Sequence, residues 1–256
     1  PMQGVGTSTA GFVGVAEKGP VSGAPVFITG PADFERKFGG YLHENEFGDY
    51  RFLAHAVNHF FVNGGSRAYV MRVAPSDATV AKASCKDGKE GIIDIEASSV
   101  GAWGNSIIVT FSDSPGSKSQ ILEDLGEGKY RLRSISGFAV GDVVVLNGAE
   151  KEQFRIIKNV TGNFVTFDEP FDGDVVDDGL LPKITLNTCE MDVVVECGEE
   201  VEKYKSVTFN VSSPSFIEKA VSKSQLVVLS AKPSENAVSP IDIVKQVFGG
   251  KGDEIK

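Results

Sequence analysis

Between residues 53 and 73 the apolar positions change period. Leu53, Val57, Phe60 and Phe61 recur at helical spacing, Gly64 and Gly65 follow as residues able to take a left-handed stop, and RAYVMRV then alternates and runs apolar. The pattern predicts an amphipathic helix, a glycine stop and a buried strand. No catalytic group stands out in this stretch, which points to a chain that works by shape and assembly. Upstream, residues 11–16 read as an apolar strand ended by Gly19-Pro20, and residues 25–29 as a second strand. Pro31 then opens PADFERKF, whose Phe34 and Phe38 share one helical face before Gly39-Gly40. Strand, helix, helix, strand predicts a right-handed crossover, with strands 25–29 and 67–73 parallel or nearly so.

The pattern changes after residue 75. Residues 76–90 are small and polar and read as a surface connection, and a strand is expected at 91–96. Trp103 sits in a glycine-flanked turn before a strand at 107–111. From 112 to 186 short strands are expected at 130–135, 143–146, 154–160 and 163–167, separated by turns such as Asn147-Gly148 and Thr161-Gly162-Asn163. Strands at this spacing suggest a small sandwich or barrel. Strands at 191–197 and 206–211 would form a hairpin across GEEVEKYK, followed by a helix at 215–221, a buried strand at 225–229 and a capped helix at 241–248. The fold class expected is α+β: an α/β-type mixed sheet with helices, plus an inserted β-rich sandwich- or barrel-like domain. Its expected parts are an arm remnant at 1–10, a discontinuous body at 11–111 and 191–256, and the insertion at 112–190.

Composition narrows the function classes. The chain has 256 residues, 41% hydrophobic and 23% charged, enough to bury a core. A net charge of −10 argues against a nucleic-acid groove, because phosphate contacts need clustered Lys and Arg. No apolar run approaches the ~20 residues that span a bilayer, and no signal-peptide pattern opens the chain, so a soluble protein without membrane insertion is expected. Cys85, Cys189 and Cys197 are far apart, without a CxxC pair, and read as reduced thiols.

Each candidate for chemistry has a plainer reading. His55 and His59 share a helix face at a spacing that zinc helices use, but no Glu stands where HExxH needs its base, and His43 lies in a loop. Gly4-Val5-Gly6 and Gly11-Phe12-Val13-Gly14 precede and interrupt a strand, where a nucleotide loop would follow one and open a helix. No serine stands in GxSxG. The acidic run 168–178 lacks the D-x-D-x-D-G spacing of a calcium loop and reads as solvated. Trp103 could be a sugar-stacking platform, but packing is the favoured role. Neither a catalytic residue, a cofactor nor a metal is expected. There remains the uncharged lead-in, Gly4, Val5, Gly6, Thr7, Ser8 and Thr9, which could add as a strand to another subunit's sheet or simply fray.

Several of these segments resemble a known family. GVGTSTAGFVGVAEKGP at 4–20, VFITGPADFERKFGG at 26–40, FLAHAVNHFFVNGGSRAYVMRV at 52–73 and SSVGAWGNSIIV at 98–109 stand in the order found in contractile phage tail sheath proteins, also present in phage-derived contractile injection systems. A weaker match spans 202–229, and residues 112–186 match nothing firm. The resemblance implies a structural subunit that polymerises as a helical tube around an inner tube and contracts to drive it through a target envelope. The implied partners are copies of itself, the inner tail tube protein and baseplate proteins. The implied location is a virion tail or tail-like particle assembled in the bacterial cytoplasm. Sheath proteins usually continue into a further α/β part and an arm, so the chain is expected to be a piece of a longer subunit. The alternative is a surface-exposed carbohydrate- or receptor-binding β module.

Overall fold

A computed structural model describes residues 9–87, 90–149, 151–176, 184–231 and 254–255. They form a mixed α+β fold of two compact units. The first unit takes the chain up to Lys82, Glu96–Ile107 and Ser224–Val227. The second takes Ala83–Ile95, Ile108–Lys223 and the chain from Val228 onward.

The first unit begins with β1 (Thr9–Val15) and β2 (Val26–Ile28), continues through α1 (Pro31–Phe38), the single turn α2 (Glu44–Phe47) and α3 (Leu53–Val62), and returns in β3 (Arg67–Val73). Helix α1 forms because Pro31 fits its first turn, the Thr29 N–H donates to Asp33, and Arg36 and Lys37 occupy the last turn, where the helix dipole favours cations. The sheet order is β1-β3-β2, with β1 parallel to β3 and β2 antiparallel to it. This corrects the expected parallel pairing of 25–29 with 67–73. Two helical legs, α1 and α3, separate β2 from β3, and two reversals return the chain in the opposite direction where one crossover helix would have kept it. Phe34, Phe38, Leu53, Val57, Ala68, Val70 and Ile28 close the core between helices and sheet. Truncating a side chain such as Phe38, which is fully buried, costs about 3–5 kcal/mol.

Strand β4 (Lys82–Asp87) falls where a surface connection was expected; its small polar sequence KASCKD carries no apolar alternation to announce it. It joins β5 (Glu90–Ala97) in a three-stranded sheet, β16-β5-β4, with β16 at Val227–Ala231. A 3-10 turn at Ala102–Ser106 holds Trp103 and leads into β6 (Ile107–Ser114).

The second unit contains β7 (Lys118–Ser119), β8 (Ile121–Asp124), β9 (Lys129–Leu132), β10 (Val143–Asn147), β11 (Gln153–Thr161), β12 (Phe164–Phe167) and β13 (Thr185–Thr188). Their order is β7-β13-β10-β11-β12-β9-β8. The two outermost strands, β7 and β8, are separated only by Gln120, so they are halves of one bent segment and the sheet closes on itself as a barrel. Tyr130, Leu132, Val144, Leu146, Ile157, Val165, Phe167 and Leu186 fill its interior. Such an interior is a core and leaves no lumen.

The hairpin after the barrel differs from the expected one. β14 (Glu190–Cys197) pairs antiparallel with β15 (Glu200–Val207) through a two-residue turn, Gly198-Glu199, so the charged EVEKYK is strand and not loop. As the edge of the sheet β15-β14-β6-β17, β15 can face its charges to water, and its lysines guard the open edge. The expected strand at 206–211 stops at Val207 because Ser206 adopts a left-handed φ of 52° and Asn210 turns the chain away. α4 (Ile217–Val221) follows, and β17 (Glu254–Ile255) pairs antiparallel with β6. The helix expected at 241–248 lies outside the described residues. Among them, no helix is long and apolar enough to cross a membrane.

Candidate functional site: the Arg72 junction and the β1 edge

The most densely bonded polar group of the first unit is Arg72. In β3 the inward positions are Ala68, Val70 and Arg72, so an apolar alternation ends on a guanidinium that is 5% exposed. A buried cation is costly unless its donors are used. Here Nε donates to the Ala16 carbonyl (2.9 Å), Nη1 to Gly19 (3.0 Å) and Val100 (2.8 Å), and Nη2 to Glu17 (3.0 Å). Burial lowers the Arg72 pKa from its ordinary value and the Glu17 carboxylate opposes that shift. Only the planar fork of arginine reaches four carbonyls in this way.

Neighbouring bonds complete the junction. The Gly19 N–H donates to Ser99 Oγ (2.9 Å), the Lys18 N–H to the Phe38 carbonyl (3.2 Å), and the Gly101 N–H to the Thr79 carbonyl (3.0 Å). Gly101, at φ 129°, passes so close that a Cβ there would stand 3.1 Å from Arg72 Nη2. Trp103 is 7% exposed, with the Lys18 ammonium 6.0 Å from its ring centre. That burial overturns the sugar-stacking reading of Trp103. The segments 16–19, 72 and 99–103, distant in sequence, thus meet at one cation.

Beside the junction, β1 lies at the edge of its sheet, with β3 as its one neighbour among the described residues. Thr9 is its first residue, paired with Arg67, and Val13 is 71% exposed. Gly4, Val5, Gly6, Thr7 and Ser8 lie outside the described residues. Gly11 and Gly14 are strand residues in β1, so no loop opens a helix there.

The other sequence candidates are scattered. The His55 ring packs on Tyr41 (centroids 4.5 Å apart) and is exposed, as is His59, while His43 precedes α2. Among the described residues no three His, Cys, Asp or Glu side chains come together as metal ligands. In the acidic run Asp168 accepts the Ile156 N–H of β11 and Asp174 the Val176 N–H two residues on, so these carboxylates brace backbone. Asp177 and Asp178 lie outside the described residues. Cys85, Cys189 and Cys197 are unbridged.

Sequence reading passed over two polar positions that organise the fold. Arg72 was visible as a charge at an inward register position. Asn210, 6% exposed, donates from Nδ2 to the Val140 carbonyl (2.9 Å) and Asp142 Oδ1 (2.7 Å) and accepts the Ser212 N–H (3.0 Å), and nothing in its local sequence signals that role.

No known protein-family profile and no curated protein matches the chain. Among solved structures it is similar to a sheath tail protein of Listeria innocua, at 16% identity and a TM-score of 0.29, over 70% of this chain and 33% of that one. It is also similar to a sheath tail protein of Desulfitobacterium hafniense, at 16% identity and a TM-score of 0.25, over 66% of this chain and 37% of that one. The chain spans about a third of the length of these sheath proteins.

Proposed function

We propose that the chain is part of a structural subunit of a contractile tail sheath, which assembles with copies of itself into a helical tube around an inner tube and contracts. The observation that carries this reading is the edge of β1, open among the described residues and continuous in sequence with the uncharged lead-in Gly4–Thr9. An open edge offers unpaired backbone donors and acceptors, and an uncharged extended segment can use them without special side chains. Exchange of such segments between subunits would keep neighbours linked while the rigid bodies, braced by Arg72, rotate. The sequence resemblance supports the same reading, since three of its four segments supply Arg72 or a carbonyl that its guanidinium binds. In this reading 112–190 is an insertion in the sheath body, the tube protein and baseplate are further partners, the particle assembles in the bacterial cytoplasm, and no catalysis is involved. The alternative carbohydrate-binding reading loses its platform with the burial of Trp103.

Electron microscopy and sedimentation of the full-length product, with and without residues 1–8, test the proposal. Tubes or tail-like particles that fail to form without the lead-in are expected. Monodisperse monomers at high concentration with the lead-in present would overturn it.

A further inference from the structure

At the carboxyl ends of the parallel strands β1 and β3, where Val15 and Val73 finish, the first unit holds a cleft of about 750 Å³. Its size lies within the range of binding clefts, roughly 300–1,000 Å³, and the crevice beyond the carboxyl ends of parallel strands is where α/β sheets most often receive ligands. The lining combines apolar surface with acid. Tyr41 and Val73 are 59% and 43% exposed there, beside the half-buried Phe47. Glu17, Glu46 and Asp77 supply the charge.

The balance of charge in the cleft is negative. Arg72 reaches its floor, but the guanidinium is committed to four carbonyls and is faced by Glu17. The side chains of Glu46 and Asp77 are exposed and make no hydrogen bond or ion pair among the described residues. An occupant that covered them without bringing a cation would desolvate two unpaired carboxylates. Small-molecule sites enclose most of their ligand and aim polar groups inward. Here the acids are solvent-exposed and the remaining lining is mostly aliphatic and aromatic, with His43, Thr79 and Asn105 as its uncommitted polar members, an arrangement that suits a chain alternating apolar and basic side chains.

The geometry points to a docking cleft, at the carboxyl ends of β1 and β3, for an extended segment of another polypeptide that carries lysine or arginine between apolar residues. Its apolar side chains cover Tyr41 and Val73, and its cation lies between Glu46 and Asp77. This holds whether or not the chain is built into a tube.

The test uses the whole chain and two labelled, end-capped hexapeptides, VKVYKV and VEVYEV, in fluorescence anisotropy titrations. The basic peptide should bind, more weakly as salt rises, and the acidic one should not. Replacing both acids, Glu46→Lys with Asp77→Lys, should weaken the basic peptide at least about tenfold, and the uncharged Val73→Asn should weaken it at unchanged salt dependence. All these positions are exposed, so circular dichroism and Tm should stay unchanged. Absence of binding, equal binding of both peptides, indifference to the substitutions, or spermidine binding as tightly as the basic peptide would each overturn the inference.

Discussion

At the residue scale Gly64 and Gly65 are adjacent but act by different physics. Gly64 has φ 92° and open space where a Cβ would stand, so its requirement is conformational. Gly65 does not share the left-handed backbone expected of it; a Cβ there would meet the Phe60 ring, and Phe60 packs edge-on against Phe12 and Phe61. Gly64→Asn should therefore cost little and Gly64→Val about 1–2 kcal/mol, whereas Gly65→Ala and Gly65→Asn should both cost about 1–3 kcal/mol by forcing Phe60 to move. Urea denaturation of the four variants separates the cases: an Asn that is tolerated at 65 but not at 64 would reverse the assignment. Cys189 offers a second check at this scale. Burial, with Asp113, Glu152 and Glu190 adding to it, pushes its thiol up to about 12. At pH 8 only about one thiol in ten thousand is then ionised, so Cys189 should resist iodoacetamide in the folded chain and react once urea unfolds it, as peptide mapping would reveal. The glycine doublet was legible as a stop, while the reason for its second member depends on a ring five positions upstream that only packing brings near.

At the element scale, strands were legible where they alternate and hidden where they do not. β10, β11 and β12 announced themselves through VVVL, FRIIKNV and FVTF, with Gly162 at φ 57° closing the turn between the last two. β7, β8 and β13 are two to four residues long and owe their pairing to barrel closure, a long-range condition no local pattern records. β15 was hidden by its charges. Its base shows how a strand ends: Asp192 accepts the N–H of Ser206 at 3.0 Å, and Ser206 holds the strained φ of 52°. That backbone hydrogen bond, then Ser114 and Lys205, hold the Asp192 carboxyl below its ordinary 3.8. A depressed carboxyl contributes stability that is complete above the unfolded value and lost as pH falls through the lower folded one. Asp192→Asn keeps an acceptor oxygen without the charge. Its Tm should lie below that of the parent at pH 6 and converge with it between pH 4 and 2; a constant gap across that window would refute the role. In β3 the corresponding test is Arg72. Arg72→Met is close in volume but strands four carbonyls, and Arg72→Lys brings a point charge in place of a fork, so both should destabilise by about 2–5 kcal/mol.

At the scale of the whole molecule, the chain passes between its two units five times, at 82/83, 95/96, 107/108, 223/224 and 227/228. Sequence order and structural unit are therefore different partitions. The first 75 residues read as a self-sufficient α/β pattern, yet their junction borrows from far downstream. Ser99 and Val100 close the loop after β1, and Ser98 in turn is held by the Leu226 carbonyl (2.8 Å) and the Gln225 carbonyl (2.5 Å). A fragment ending at residue 82 keeps the apolar core of helices and sheet but leaves one Arg72 donor and the Gly19 N–H without acceptors, at roughly 1–3 kcal/mol each. Extending it to residue 107 restores both, along with Trp103 beside Lys18. The shorter fragment should accordingly unfold at lower urea, with a broadened transition, and the longer one should regain most of the difference while lacking the contribution of 225–226. Adding Arg72→Met to both separates the junction from mere length. If the junction is the cause, the substitution costs the 107-residue fragment more than the 82-residue one, because the shorter chain has already lost the Val100 partner. Equal costs would mean that the contacts from 98 to 103 do not act through Arg72.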